Sequence, residues 1–111
     1  EVVLKKLYAS IETIIFGNIQ FTIVTIGTTL LNPEVLTLTL PMPNLKRLEI
    51  HTETYNFHQV ERFLTYAVNY VGQKHLKKNV EVDIYGDPDK LHPNLRNNFE
   101  HLCKRVKFMR P

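Results

Sequence analysis

From Pro43 to His51 the chain reads Pro-Asn-Leu-Lys-Arg-Leu-Glu-Ile-His. Leu45, Leu48 and Ile50 form an L-x-x-L-x-L line, the pattern of a tight corner that feeds a short strand. Strand side chains alternate between the two faces of a sheet. Leu48 and Ile50 are therefore expected to point into a core, and Glu49 and His51 to face outward. Pro41 and Pro43 lack amide hydrogens and cannot continue a central ladder, so Pro41-Met-Pro-Asn stops whatever strand precedes the corner.

Upstream of this corner the chain is rich in β-branched residues. Val3, Leu4 and Leu7 in Glu1–Ser10 have helical spacing. Ile11-Glu-Thr-Ile-Ile-Phe and Ile19-Gln-Phe-Thr-Ile-Val-Thr-Ile flank Gly17-Asn18, a pair that tolerates the positive φ of a hairpin turn. Gly27–Glu34, with Asn32-Pro33, reads as a loop, and Val35–Leu40 alternates like a half-buried strand.

Downstream, Phe57, Val60, Phe63, Leu64, Ala67 and Val71 share one face of a long helix, with Val68 broadening the stripe. Asn56 is its expected N-cap, with Gln59 three residues on, and Gly72 its expected stop. Asn79–Tyr85 alternates Val80, Val82 and Ile84 against Glu81 and Asp83, the signature of a strand. Gly86-Asp-Pro-Asp is a turn. Pro93 opens a second helix with Leu95, Phe99, Leu102 and Cys103 on its apolar side, and Val106–Met109 is a last strand.

Two units share the form L-x-x-x-V-x-Φ: Leu76 with Val80 and Val82, then Leu102 with Val106 and Phe108, 26 residues later. Leu45, Leu48 and Ile50 repeat the device one residue shorter. Strand, turn and helix in succession place the next strand parallel to the last, through a right-handed crossover. A period of this length with helices on the return path resembles the leucine-rich-repeat family. The nearest likeness is to the longer helical repeats found behind F-box segments and in ribonuclease-inhibitor-like proteins, and it covers Pro43–Pro111. Three features depart from the family. Its asparagine after each strand is absent, with Glu53 and Tyr85 near those positions; the unit from Leu45 to Leu76 is too long; and the hairpin zone does not fit. No F-box segment is visible, so attachment to a ubiquitin-ligase scaffold is not implied. What the resemblance implies is protein binding.

The expected fold is therefore α/β, with strand-turn-helix units, parallel strands and a β-rich N-terminal part. The rival is a compact α+β domain in which Ile11–His51 forms an antiparallel meander and two helices pack on one face. The 111 residues suit one domain, divided into a β-rich segment 1–42 and repeat-like units 43–111. With no initiator methionine, the chain is expected to be an excised or C-terminal piece.

Hydrophobic content of 43% and charged content of 23% are those of an ordinary globular protein. The single Cys103 excludes an internal disulfide and a cysteine-based zinc site. With no Asn-x-Ser/Thr sequon either, the composition leans towards the cytoplasm or nucleus. The longest apolar zone, Ile11–Ile26, is broken by Gly17, Asn18 and Gln20, so no membrane helix is expected. A net charge of +3 is too small to imply nucleic acid.

No catalytic or cofactor motif emerges. Ser10 is the only serine, the glycines are scattered, and Cys103 falls on an apolar helix face. The histidines have no H-x-x-x-H or H-E-x-x-H spacing. Glu49, His51 and Asp83 are the one metal-donor set that neighbouring strands could bring together. The outward strand positions Glu49, His51, Glu81, Asp83, Tyr85 and Lys107 define the candidate site, a face for another protein or peptide. Basic pairs recur just before the strands: Lys5-Lys6, Lys46-Arg47, Lys77-Lys78 and Lys104-Arg105. As a rim they would suit phosphate, but lack the interleaved aromatics that single strands require. Two other function classes remain open: a nucleic-acid module using that rim, and a small enzyme with its pocket near His51, Asp83 and Tyr85. Tyr66 and Tyr70, one helical turn apart, are candidate aromatic anchors for a partner.

Overall fold

A computed structural model of the chain describes residues 6, 8–17, 20–25, 30–31 and 42–109. The expected strand Val35–Leu40, the Asn18 half of the hairpin turn and Asn32-Pro33 lie outside them. Residues 8–10 are helical. The strands are β1 (Ile11–Gly17), β2 (Gln20–Thr25), β3 (Leu30–Leu31), β4 (Arg47–His51), β5 (Glu81–Tyr85) and β6 (Arg105–Met109). Between β4 and β5 run α1 (Phe57–Tyr66), a π-helical segment (Ala67–Gly72) and α2 (Gln73–Asn79). A 3-10 turn (Pro88–Lys90) and α3 (Pro93–Leu102) lead to β6.

The fold is α/β, with one sheet ordered β3-β2-β1-β4-β5-β6. β1, β4, β5 and β6 are mutually parallel neighbours; the strand-turn-helix reading of 43–111 expects this of β4, β5 and β6, and β1 joins them from outside it. The hairpin is also present: β1 and β2 pair antiparallel, Ile14 opposite Ile23. It does not interrupt the parallel order, because β2 and β3 extend the sheet on one side of β1 while β4 adds to the other. The antiparallel meander over Ile11–His51 is overturned by the parallel register of Ile14 with Leu48 and Phe16 with Ile50. Leu30–Leu31, expected within a loop, pairs with Val24 and Ile23 as β3.

Leu45, Leu48 and Ile50 are all fully buried, so the L-x-x-L-x-L line is core. Each such side chain contributes about 1.5–3 kcal/mol by leaving water. Leu48 lies beside Val82 and Ile50 beside Ile84, against Val60, Phe63, Leu64 and Ala67 from the first helical stretch and Leu95 and Phe99 from α3. The Phe16 and Phe63 rings meet at 5.5 Å and 57° across the sheet–helix boundary.

The sequence repeat aligns Val80 with Val106, but the sheet pairs Val82 with Val106. That slip is two residues. Side chains alternate with a period of two, so every residue keeps its face and only its neighbours change.

The helix does not stop at Gly72. Asn56 caps α1, its side chain accepting the Gln59 N–H at 3.2 Å. After Tyr66 the winding loosens to π, and Gly72 takes φ +99° before α2 starts. Nothing lies within 4 Å of where a Cβ would stand on Gly72. Glycine is required there for its backbone conformation, not for space. Gly72 thus breaks the regular helix, as the sequence suggests, yet the chain resumes helical winding. His75 Nε2 lies 2.8 Å from the Leu45 carbonyl oxygen, tying α2 to the corner before β4.

Candidate open sheet face

The helices pack on the Phe16, Ile50 and Ile84 side, and no described helix covers the other. Outward positions there fall into rows set by strand register. Thr13, Arg47, Glu81 and Arg105 form the first; Ile15, Glu49, Asp83 and Lys107 the second; His51, Tyr85 and Met109 the third. All six outward residues expected from the sequence are therefore brought together on one face.

Arg47 is the centre of this arrangement. Its Nη2 donates to Glu49 Oε1 at 2.9 Å along its own strand and to Asp83 Oδ2 at 2.5 Å across to β5. Asp83 is buried although it stands on the open face, because the guanidinium lies over it. Burial pulls against the Arg47 charge. The Asp83 hydrogen bond and the fields of Asp83 and Glu49 outweigh it, holding the guanidinium above its ordinary pKa.

One strand further, Arg105 donates from Nε to Glu81 Oε1 at 2.8 Å, and its Nη2 reaches the same oxygen. That hydrogen bond holds the Glu81 carboxyl below its usual pKa against the opposing pull of burial, with the fields of Arg105, Lys107 and Lys104 adding to it. His51 stacks on Tyr85 with ring centroids 4.9 Å apart and planes 7° from parallel. Its Nε2 lies 3.7 Å from Glu49 Oε2. Among the described residues no three metal-binding side chains converge.

The expected basic rim divides in two. Arg47 and Arg105 are the first residues of β4 and β6, and their parity puts them on the open face beside the carboxylates. Lys46 stays at the strand start, 3.0 Å from Glu12. Lys77 and Lys78 are not in a loop: they form the last turn of α2, where cations suit the helix dipole. Lys77 Nζ also donates to the Glu100 and His101 carbonyls at 3.4 and 3.3 Å. Lys104 is exposed ahead of β6, and Lys5 is outside the described residues.

Sequence reading put Arg47 and Arg105 on a rim instead of the face and did not place Thr13, Ile15 or Met109 there. For the residues of β4 and β6 the parity rule already implied it: alternation carried one step back from Glu49 and Lys107, and one step on from Lys107. With them the face holds the cations Arg47, Arg105 and Lys107 and the carboxylates Glu49, Glu81 and Asp83, a balanced surface instead of a mostly acidic one.

The opposite, helical side has a shallow groove of about 280 Å³ lined by Glu61, Leu64, Thr65, Val68, Asn69, Asn98 and Leu102. The Thr65 hydroxyl there donates to the Glu61 carbonyl oxygen at 3.2 Å. Tyr66 is buried and Tyr70 exposed, their rings stacked at 5.2 Å. Cys103 is 1% exposed, and burial pushes its thiol up to about 11, against the field of Lys77. No described helix is long and apolar enough to cross a membrane. Comparison with protein-family models, with curated proteins and with solved structures finds no match.

Proposed function

We propose that this domain is a non-catalytic binding module, repeat-like in build, that holds another protein against the open face of its sheet. The observation that carries the reading is a sheet face that no described helix covers, with three parallel strands in register and Arg47 clamped between Glu49 and Asp83 at its centre. Such pre-formed charge rows cost little ordering on binding and choose a partner by complementary charge. The balance of charges fits a peptide of mixed sign. The likeness to leucine-rich repeats supports the same reading, since those proteins also bind along sheets backed by helices.

Two observations weigh against the alternatives. A phosphate-binding rim would need its cations together and available, whereas Lys46, Arg47 and Arg105 are held by Glu12, by Glu49 and Asp83, and by Glu81. That leaves Lys78 and Lys104 of the rim exposed, their side chains without a side-chain or backbone partner among the described residues. An active site near His51, Asp83 and Tyr85 would need an unengaged carboxylate, whereas Asp83 is held by Arg47 at 2.5 Å.

Photo-crosslinking residues placed at His51 and Thr13 on the open face, and at Asn98 on the helical side, test the reading in extract. One and the same protein should be captured from both open-face positions and not from Asn98, and Arg47→Glu should abolish its capture. Equal capture from Asn98 would refute it.

A further inference from the structure

The outer edge of β6 borders that face, whose rows end in Arg105, Lys107 and Met109, and adds backbone chemistry of its own. β6 ends the sheet, and no described strand pairs with its far side. Alternate N–H and C=O groups of such a strand point away from its single neighbour and offer a template for another strand. The large apolar side chains exposed among the described residues are Tyr70, Phe108 and Met109, and the latter two, 42% and 37% exposed, are on β6. Phe108 continues the row of Ile50 and Ile84, which are fully buried. It is exposed where the described row ends, with the Arg96 guanidinium 4.8 Å from its ring centroid.

The charges at this edge are one-sided. Lys104 and Lys107 make no ion pair among the described residues. The first row alternates in sign, Arg47, Glu81, Arg105, and the second runs from Asp83 to Lys107. Each row next calls for a carboxylate. The positions beside Val106, Phe108 and Met109 call for apolar side chains. β5 already shows the type of neighbour β6 accepts: Glu81-Val-Asp-Ile-Tyr85 sets Glu81 beside Arg105 and Asp83 beside Lys107.

We propose that the free edge of β6 takes up an extended segment of another protein, with carboxylates alternating with apolar residues, as a further strand of the sheet. A second copy of this chain does not fit. Two β6 strands side by side would bring Arg105 and Lys107 against the same cations, and like charges directly opposite destabilise a strand pair. The edge shares Arg105 and Lys107 with the open face, but the backbone pairing proposed for it does not rest on what that face binds.

The test is an NMR titration of the isotope-labelled full chain with a Glu-Val alternating peptide and, separately, a Lys-Val peptide of equal length. Amide shifts over Lys104–Met109 should move with the acidic peptide and not with the lysine peptide. Lys107 is exposed and makes no ion pair among the described residues, so Lys107→Gln leaves the fold intact. Lys107→Glu sets a carboxylate beside Asp83, so intact β5–β6 pairing is checked for both by unchanged shifts in β5. Lys107→Gln should weaken the acidic peptide about two- to three-fold, and Lys107→Glu about five-fold while gaining the lysine peptide. Three outcomes would overturn the proposal. One is no shift at β6 with millimolar acidic peptide. Another is equal binding of both peptides, or shifts centred on Leu64 and Asn98. The third is a dimer in sedimentation that Lys107→Glu disrupts.

Discussion

Gly86→Ala tests how the C-terminal ends of β4 and β5, which carry the His51–Tyr85 stack, are held together. Gly86 has φ +105°, a conformation that costs an L-residue about 1–2 kcal/mol. A Cβ there would also lie well inside contact distance of Thr52 Oγ1. Thr52 is 5% exposed, and both its N–H and its hydroxyl donate to the Tyr85 carbonyl, at 2.9 and 3.1 Å. Displacing that hydroxyl costs about another 1–2 kcal/mol, so Gly86→Ala should lose about 2–4 kcal/mol. Thr52→Ala alone should lose about 1 kcal/mol. The double variant no longer has the clash, and the next nearest atom, the residue 52 Cβ, stands at an ordinary 3.6 Å. It should therefore be no less stable than Gly86→Ala by itself, a coupling of about 1 kcal/mol. Urea unfolding followed by far-ultraviolet circular dichroism gives all three values, with unchanged m-values as the check on two-state behaviour. Losses that add to within about 0.5 kcal/mol would show independent sites and refute the contact.

Other expectations follow from single side chains. Leu48→Ala, at a fully buried position in the middle of β4, should lose about 2–5 kcal/mol in the same assay. Asn56→Ala removes the α1 cap and should cost about 1 kcal/mol; no change would mean that water replaces it at no cost. Arg47→Met uncovers Asp83 and should cost about 1 kcal/mol after solvent screening, whereas Arg105→Met at the sheet edge should change stability little. Cys103 should react with a thiol reagent at pH 8 only after urea unfolding. Its folded pKa, about 11, is raised above the unfolded value of about 8.5. The stability this gives is fully present below about pH 8.5 and is lost as pH rises through about 11. Rapid labelling of the folded chain would contradict the burial of Cys103.

Local patterns carried much of the fold. Alternation placed Leu48, Ile50, Val82 and Ile84 inside and Glu49, His51, Glu81, Asp83, Tyr85 and Lys107 outside, because strand geometry leaves no other choice of face. The same rule, applied two residues out of register, still gave the right face, since a two-residue slip preserves parity. Asn56 and Pro93 marked the starts of their helices through backbone chemistry that acts within one turn. Leu30–Leu31 was not legible, because two residues have no period and become a strand only when Val24 and Ile23 pair with them. Nor was α2, since a positive φ at Gly72 is compatible with ending a helix or with redirecting one. What decides is the docking of Leu76 and His75 against the core and the corner before β4.

The sequence by itself determined which side chains face outward, because that depends only on neighbours along the chain. The tertiary structure alone decided who stands beside whom. It set Arg47 between Glu49 and Asp83, Arg105 on Glu81, and Lys107 and Phe108 at an open edge. Charge pairing across strands depends on register and strand order, which the burial of residues far apart in the chain fixes only once the helices close over the sheet.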